Sequence, residues 1–308
     1  MAAPDDHALA ADLAERAGRL LLDLRARGGD PGALRNAGDR QSHEFLMKEL
    51  ARARPKDAVL SEEGRDDKAR LSAKRVWIVD PLDGTREFGE PERQDWAVHV
   101  ALWSREAAGV GEFSGTRDAS AAPKTWSGTR EAPAIKGDLI AGAVALPAQG
   151  RVLSTTSATA PAAQVAERPD RWGSSRRPSE GAPAETPPGP GAQRPLRMVV
   201  SRTRASQLVK DVAARISAEI VPCGSAGAKA ATVITGENDV YLHSGGFYEW
   251  DTAAPVAVAR QHGFHVSRID GAPVAYNQED PLLPDILVCR PAIAGLLLNA
   301  IRETKHAI

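Results

Sequence analysis

The sequence predicts a mixed α+β / α/β protein built from two differently organised halves. Up to about residue 195, short apolar segments that suit hairpins of an antiparallel sheet follow two helical segments. From "LRMVVSRTR" onward, strand-like and helix-like segments alternate, which is typical of an α/β layer. A stretch rich in Pro, Gly, Ala and Ser separates these patterns. We therefore predict an N-terminal α+β domain (residues 1–195) and a C-terminal α/β domain (residues 196–308).

The predicted N-terminal half begins with two helices. Apolar residues recur at helical spacing in "DDHALAADLAERAGRLLLDLRA", which predicts an amphipathic helix. We expect "GGDPGALRNAGDRQ" to be a loop, and "SHEFLMKELARAR" to be a second helix that Pro55 ends.

Strands are expected next. The runs "DAVLSEE" and "RVWIVDP" contain β-branched residues and end in acids, so they predict two strands. Alternation in "DWAVHVALW" predicts a half-buried strand of an antiparallel sheet. The stretch "LIAGAVALPAQGRVLSTT" predicts a strand pair joined around Gln149 and Gly150.

In the C-terminal half we expect strands at "LRMVVSRTR", "EIVPCG", "DVYLHS" and "DILVC". The helices expected between and after them are "ASQLVKDVAARISAE", "SAGAKAATVITG", "DTAAPVAVARQHG" and a closing helix from Pro291. Two stretches, residues about 104–136 and about 157–194, hold few bulky apolar residues that could offset the entropy of ordering them. Both are predicted to be mobile surface loops.

The composition excludes several classes of function. The chain has 308 residues and a formal net charge of -1, so it has no overall field to attract nucleic acid or an acidic membrane. We find no segment apolar and long enough to span a membrane, and acids stand where a signal peptide would carry basic residues. Cys223 and Cys289 lie in apolar surroundings and are expected to be buried thiols. These features predict a cytoplasmic protein with a local ligand site.

Five acids stand at the predicted ends of elements: Asp39, Glu62, Asp80, Asp83 and Asp251. An isolated acid at such a position is more often solvated structure than a ligand. Asp251, which precedes "TAAPVAVA", is predicted to be a helix N-cap in its own right.

The motif "DPLDGT" is more specific. We expect Pro81 to turn the chain sharply, so that the Asp80 and Asp83 carboxylates and the Leu82 carbonyl point toward one place. Hard divalent cations such as Mg²⁺ bind oxygen ligands of this kind. Gly84 and Thr85 then offer backbone N–H groups, and a helix start, for a phosphate. Acids beside an anion cradle predict metal-assisted phosphoryl transfer.

A haloacid-dehalogenase-type phosphatase also carries an Asp motif that ends in Gly-Thr. Its two acids are two positions apart, because one is the covalent nucleophile and the other is the acid/base. Asp80 and Asp83 are three apart, and Glu62 lies upstream. The spacing disfavours that class.

The segments "SEE", "WIVDPLDGTREF" and "EWDTAA" occur in that order. With them the chain resembles the inositol monophosphatase family of lithium-sensitive, Mg²⁺-dependent phosphatases. "GTREF", "GSAGAK" and "YNQEDPLLPD" are most similar to its bacterial CysQ branch, the 3'(2'),5'-bisphosphate nucleotidases. The resemblance covers most of the chain outside the two predicted loops. It implies a layered αβαβα sandwich, inhibition by lithium, and in many members a homodimer.

The resemblance also implies the roles of individual residues. Two or three Mg²⁺ ions would be held by Glu62, Asp80, the Leu82 carbonyl, Asp83 and Asp251, with Asp80 bridging. Asp39 and Thr85 match the pair that orients and deprotonates the attacking water, and the amides of Gly84 and Thr85 match the phosphate cradle.

Contacts to the substrate are less specific. Ser225, Lys229, His243 and Arg202 are candidates for binding the second phosphate or the adenosine. Lys229 could equally be a solvated helix residue, Arg202 a surface charge and His243 a structural histidine. Ser244 stands where inositol monophosphatases carry a Glu that contacts the sugar, which favours a nucleotide over inositol.

The sequence thus predicts hydrolysis of 3'-phosphoadenosine 5'-phosphate to AMP and phosphate, which clears a by-product of sulfate assimilation. One alternative is a broad phosphatase for inositol 1-phosphate or fructose 1,6-bisphosphate. Another is a catalytically silent, metal-dependent binding protein. We expect Asp83→Asn to abolish turnover with little loss of fold, on the premise that the cluster faces solvent. His99 is expected to be packed rather than catalytic.

Overall fold

A computed structural model describes residues 5–107, 136–156 and 194–306. The described helices are α1 (Asp6–Ala26), α2 (Pro31–Ala53), α3 (Thr85–Phe88), α4 (Gln207–Arg215), α5 (Ala226–Ile234), α6 (Glu249–Gln261) and α7 (Pro291–His306). The described strands are β1 (Ala58–Ser61), β2 (Arg75–Asp83), β3 (Ala97–Ser104), β4 (Asp138–Leu146), β5 (Arg151–Ser154), β6 (Arg197–Ser201), β7 (Glu219–Cys223), β8 (Val240–Tyr248), β9 (His265–Ser267) and β10 (Leu282–Cys289). Nearly all of the two predicted surface loops lies outside the described residues.

The strands form two five-stranded sheets. The first has the order β1-β2-β3-β4-β5, and its pairs are antiparallel except for the parallel pair of β1 and β2. The second has the order β7-β6-β8-β10-β9, with β6 parallel to both of its neighbours and β10 antiparallel to both of its own. The predicted mixed fold class is confirmed.

Three apolar clusters stack the elements into five layers. The first cluster joins α1 and α2 to one face of the first sheet. The second fills the space between the two sheets, where α5 and α6 lie. The third joins the outer face of the second sheet to α4 and α7. This is the αβαβα sandwich that the resemblance implied.

The prediction that β3 is half-buried is wrong. All eight of its residues are buried. Val98, Val100 and Leu102 pack toward α1 and α2, while Ala97, Ala101 and Trp103 pack in the cluster between the sheets. Because helices cover both faces of this central strand, both of its alternating sets are buried.

The predicted loop before the second helix is also wrong. Helix α2 begins at Pro31, and the side chain of Asp30 caps it by accepting a hydrogen bond from the Ala33 amide at 2.8 Å. Gly38 does not interrupt the helix. A Cβ there would lie 2.8 Å from Phe88 and 2.9 Å from Leu82, so this glycine lets α2 approach the "DPLDGT" segment closely. Asp39 follows it and is thereby brought beside that segment.

Both cysteines are buried and free, as predicted. None of the helices in the described ranges combines the length and the apolar character that a membrane span needs.

Candidate active site

The "DPLDGT" segment contains a β-bulge, not the predicted sharp turn. Asp80 pairs opposite His99 and Asp83 opposite Ala97, so three steps along β2 match two steps along β3. In a regular strand, residues three apart point to opposite faces. The extra residue brings both carboxylates to the same side.

Gly84 follows the bulge with φ +85°, in the left-handed region. A Cβ at this position would be strained and would lie 3.2 Å from the Asp95 carbonyl oxygen. The predicted helix start is confirmed, because α3 begins at Thr85. The Thr85 hydroxyl lies 3.3 Å from Asp39 Oδ1 and 3.1 Å from the Leu82 carbonyl oxygen. The structure therefore brings Asp39, on α2, next to Thr85.

Asp80 is almost fully buried. Its Oδ1 accepts a hydrogen bond from the Leu82 amide at 3.0 Å. Its Oδ2 is buried without a hydrogen-bond partner in the described ranges. Burial, together with the nearby Glu62, Asp83 and Asp251 carboxylates, raises the Asp80 pKa well above its usual range. An orphaned buried carboxylate oxygen among other acids is a position that a cation would stabilise.

Glu62 and Asp251 complete the group of acids. Glu62 follows the end of β1, and burial and the Asp251 carboxylate raise its pKa to about 7. Burial and the Asp83 carboxylate raise the pKa of Asp251 to about 6. Without a counter-ion, the anionic form of each carboxylate is therefore disfavoured by burial and by a neighbouring acid.

The prediction that Asp251 is a helix N-cap is wrong in position. Helix α6 begins at Glu249, so Tyr248 is the N-cap and Asp251 lies in the first turn. Asp251 Oδ2 still accepts a backbone hydrogen bond, from the Tyr248 amide at 2.6 Å. One Asp251 oxygen thus stabilises the start of the helix, and the other can serve as a ligand.

Asp83 is buried, which contradicts the premise that the cluster faces solvent. Its Oδ2 accepts hydrogen bonds from the Ser225 hydroxyl at 2.5 Å and from the Gly227 amide at 2.7 Å. His99 Nε2 lies 3.1 Å from the same oxygen. Burial alone would raise the Asp83 pKa, but His99, Lys229 and the Ser225 hydrogen bond outweigh it and hold the pKa below its usual range. The fixed charge of Asp83 is thus compensated by the protein.

Sequence reasoning missed the contact that His99 makes with the site. The residue is packed, as predicted, with no exposed surface. Its Nδ1 lies 3.1 Å from the Trp250 carbonyl oxygen, so Nδ1 carries a proton and donates it there. A histidine in a strand that is otherwise apolar was the available signal. The register that places it opposite Asp80 could not be seen in the sequence.

Two of the predicted substrate contacts have structural partners in the buried start of α5. Ser225 caps this helix by accepting a hydrogen bond from the Ala228 amide at 2.9 Å, and its hydroxyl donates to Asp83. Lys229 Nζ donates to the Ser225 carbonyl oxygen at 2.8 Å and to the Gly224 carbonyl oxygen. Burial lowers the pKa of Lys229. Lys229 is therefore not a solvated helix residue.

The other two also have protein partners. Arg202, the residue after β6, lies 2.8 Å from carboxylate oxygens of both Glu87, in α3, and Glu90, just beyond it. His243 is buried with its Nε2 3.4 Å from the Gly246 carbonyl oxygen, and burial lowers its pKa to about 4. It is a neutral histidine at physiological pH. A substrate contact for any of the four residues stays a prediction.

The acid cluster fits a hard divalent cation. Burial and neighbouring carboxylates raise the pKa values of Glu62, Asp80 and Asp251, and Asp80 Oδ2 is buried without a hydrogen-bond partner among the described residues. Oxygen donors alone, with excess negative charge, are the set that Mg²⁺ prefers. Asp80, Asp83 and His99 each offer a ligand atom within 4.8 Å of the others. His99 Nε2 faces the Asp83 oxygen, so we assign it to supporting that carboxylate rather than to a ligand role.

The chain is similar to known proteins over most of its length. The model of the inositol monophosphatase family matches residues 10–112 and 132–306. A Mycobacterium leprae (strain TN) protein named 3'-phosphoadenosine 5'-phosphate phosphatase is 44% identical over 97% of this chain and 94% of the relative. The Escherichia coli (strain K12) 3'(2'),5'-bisphosphate nucleotidase CysQ is 25% identical over 80% of this chain and 81% of its own. The crystal structure of CysQ from Bacteroides thetaiotaomicron matches with a TM-score of 0.63 and 25% identity, covering 92% of this chain and 96% of that one.

Proposed function

The chain belongs to the inositol monophosphatase family, whose members are metal-dependent, and we propose that it is a Mg²⁺-dependent 3'-phosphoadenosine 5'-phosphate phosphatase. It would release AMP and inorganic phosphate and so clear a by-product of sulfate assimilation. The observation that carries this proposal is the 44% identity, over nearly the whole of both chains, to a protein of that name. The cluster of acids around Asp80 supports it.

The proposed ligands of the cation are Glu62, Asp80, the Leu82 carbonyl, Asp83 and Asp251, and we propose two or three Mg²⁺ ions. Ions held there would neutralise charge that develops on the phosphoryl group and make water a stronger acid. In this arrangement Asp83 offers Oδ1, because its Oδ2 already accepts the Ser225 and Gly227 hydrogen bonds.

Asp39 and Thr85 are proposed to activate the attacking water. The Thr85 hydroxyl would orient the water, and Asp39, 3.3 Å away, would accept its proton. Burial and the Glu63 carboxylate raise the pKa of Asp39 to about 6, so above that pH it is ionised and still basic enough to take a proton. The water oxygen bonds to phosphorus, the bond from phosphorus to the ribose O3' breaks, and O3' leaves as a hydroxyl with a proton from solvent.

The Gly84 and Thr85 amides are proposed to bind the phosphate oxygens. The left-handed backbone at Gly84 turns the chain from β2 into α3. The backbone N–H groups at the start of a helix have no partner within the helix and attract an anion. The same Thr85 would then bind phosphate through its amide and orient water through its hydroxyl.

One observation favours a nucleotide over inositol. Ser244 occupies the position where inositol monophosphatases carry a Glu, and its hydroxyl lies 2.7 Å from the Ser206 hydroxyl. A short side chain that is already hydrogen-bonded is a poor substitute for a carboxylate that grips a sugar. The Asp39 and Thr85 pair favours catalysis over a silent binding protein, which would have no use for it.

The test is steady-state phosphate release from 3'-phosphoadenosine 5'-phosphate, inositol 1-phosphate and fructose 1,6-bisphosphate, each with a Mg²⁺ titration. We expect the highest kcat/KM for the adenosine bisphosphate. A clear preference for inositol 1-phosphate would contradict the proposal, and turnover of none of the three would favour the silent protein.

Variants test the water-activating pair. Asp39→Asn and Thr85→Ala should each lower kcat by about 10²- to 10⁴-fold while leaving the half-saturating Mg²⁺ concentration nearly unchanged. Asp23→Asn, on α1, is the matched control and should behave as wild type. Loss of Mg²⁺ affinity in Asp39→Asn would instead assign Asp39 to the ligands.

We also propose, from the family resemblance, that the protein forms a homodimer. Light scattering coupled to size-exclusion chromatography measures the mass directly. A cytoplasmic location stays a prediction from composition and from the two free thiols.

A further inference from the structure

An exposed aromatic ring stands beside the acid cluster. Tyr248 is the last residue of β8, and 45% of its surface is exposed. Its ring stacks on that of Trp250, with the centroids 4.7 Å apart and the planes at 13°. Leu282, opposite Tyr248 on β10, is 48% exposed. The two residues form an apolar patch, and Trp250 fixes the plane of the Tyr248 ring.

The patch is connected to the proposed metal ligands through the backbone. The Tyr248 amide donates to Asp251 Oδ2 at 2.6 Å, and the Trp250 carbonyl oxygen accepts from His99. The backbone from which the Tyr248 ring projects is therefore in direct contact with the Asp251 carboxylate. Any residue could donate the amide hydrogen bond, so it does not explain an exposed tyrosine.

We propose that the Tyr248 ring is the stacking platform for the adenine base of the substrate. This inference rests on the proposed function. In an adenosine 3',5'-bisphosphate, one ribose separates the base from the scissile 3'-phosphate, so a phosphate held at the acid cluster places the base near the patch. A flat ring backed by Trp250 is ordered in advance, and its outer face offers a π surface to a base.

The chemistry of the patch selects a base rather than a sugar. Inositol and fructose present hydroxyl groups, which need hydrogen-bonding partners. Tyr248 and Leu282 offer mainly apolar and aromatic surface, and the nearby Ser244 hydroxyl is paired with Ser206. The patch therefore discriminates between phosphate esters by whether they carry an aromatic base.

The test compares wild type, Tyr248→Ala and Tyr248→Phe on 3'-phosphoadenosine 5'-phosphate and on fructose 1,6-bisphosphate. In Tyr248→Ala we expect kcat/KM for the nucleotide to fall by about 5- to 100-fold, mainly through KM. Turnover of the base-free sugar should stay within twofold. Tyr248→Phe keeps the ring and should behave as wild type. Leu296→Ala, which truncates an exposed leucine on α7, is the matched control.

Calorimetry provides a second readout that does not depend on turnover. AMP should bind Tyr248→Ala about 5- to 100-fold more weakly than wild type, whereas inorganic phosphate should bind both equally. An equal loss for AMP and phosphate, or for both substrates, would assign Tyr248 to holding α6 and overturn the inference. So would unchanged AMP binding in Tyr248→Ala. Failure of the proposed function is distinct, since it would appear in wild type as no preference for the nucleotide.

Discussion

Asp80 and Asp83 are three residues apart in one motif, yet the protein treats their charges in opposite ways. The pKa of Asp80 is raised, because this carboxylate is buried close to three other acids, and its Oδ2 has no hydrogen-bond partner in the part of the chain that the structure describes. The pKa of Asp83 is lowered, because two donors and His99 surround one of its oxygens. The fold tolerates Asp83 as an anion by itself, whereas Asp80 needs a cation or a proton.

This difference predicts opposite effects of two isosteric substitutions on the metal-free protein. Asp83→Asn should lower the free energy of unfolding by about 1 to 3 kcal/mol, because it removes the charge that faces His99 and weakens two buried hydrogen bonds. Asp80→Asn should leave stability unchanged or raise it, because it removes a crowded carboxylate and keeps an oxygen for the Leu82 amide. Denaturant unfolding in the presence of a metal chelator measures the free energy of unfolding of both variants.

The two variants are matched controls for each other. Both should lose Mg²⁺-dependent turnover, so only their effects on the free energy of unfolding should differ. Equal destabilisation by the two substitutions would show that Asp80 and Asp83 do not differ as described. The sequence-based expectation that Asp83→Asn spares the fold is therefore replaced by a stability loss.

Protons and Mg²⁺ should compete for the same carboxylates. Without metal, the Glu62 pKa is about 7 and the Asp251 pKa about 6, so both hold protons below these values. A proton must leave before the oxygen can bind a cation. Mg²⁺ affinity should therefore rise as the pH increases from 6 to 8 and level off above that. Calorimetry in buffers of different ionisation enthalpy should also detect proton release near pH 6.5.

Glu62→Gln tests the origin of this pH dependence. It should bind Mg²⁺ more weakly at pH 8 and show a shallower dependence, because one competing proton is gone. An affinity that is constant between pH 6 and 8 in wild type would contradict the proposed ligand set.

At the scale of the elements, the start of α5 holds Asp83 in place. The Ser225 hydroxyl and the Gly227 amide both donate to this carboxylate. A Cβ at Gly227 would lie 2.1 Å from His99 Nε2, so the close approach of α5 to β3 requires glycine. An element of the second half of the chain thus orients a proposed ligand carried by the first.

We predict that Gly227→Ala lowers the free energy of unfolding by about 1 to 3 kcal/mol, because α5 or the His99 ring must move. His99→Ala opens space for the new methyl group, so the double variant should lose less than the sum of the two single losses. Denaturant unfolding of wild type, the two single variants and the double variant gives the coupling free energy between the two positions. Gly295→Ala on α7 is the control, since a Cβ there meets no atom of the described residues within 4 Å. If the two losses in the free energy of unfolding simply add in the double variant, Gly227 and His99 do not share this contact.

At the scale of the whole molecule, the two halves share one core. Strands β1–β5 precede the predicted boundary near residue 195 and β6–β10 follow it, and we keep that boundary as a proposal. The cluster between the sheets contains Ile78 and Trp103 from the first sheet, Ile286 from the second, and residues of α5 and α6. Neither half can therefore bury its inner face alone.

Thermal unfolding should accordingly be one cooperative transition with equal calorimetric and van't Hoff enthalpies. A fragment of residues 196–308 should not fold, because α6 would expose the apolar face that it packs against the first sheet. Scanning calorimetry of the full chain measures the number of transitions. The spread of amide chemical shifts in an NMR spectrum of the fragment shows whether it is folded. Two separate transitions, or a folded fragment, would instead support two independent domains.

Local patterns in the sequence predicted most helices and strands and the mixed fold class, and the family resemblance implied the layered sandwich. They also singled out five acids at the ends of predicted elements, three of which stand in "DPLDGT" and "EWDTAA". The structure corrected predictions that depended on neighbours in space. Asp39 lies within α2 since Asp30 and Pro31 start the helix early, and β3 is buried on both sides since helices cover both faces.

The sequence by itself determined where the strands and helices alternate, and it predicted which side chains would bind a cation. Tertiary structure alone decided that Asp83 is buried against Ser225, Gly227 and His99. It also decided that Asp251 lies in the first turn of α6 rather than at its N-cap, and that Tyr248 is exposed. The physical reason is that the periodicity of apolar residues shows only which face of a single helix or strand is buried. The charge state and exposure of a side chain depend on which other elements pack against it.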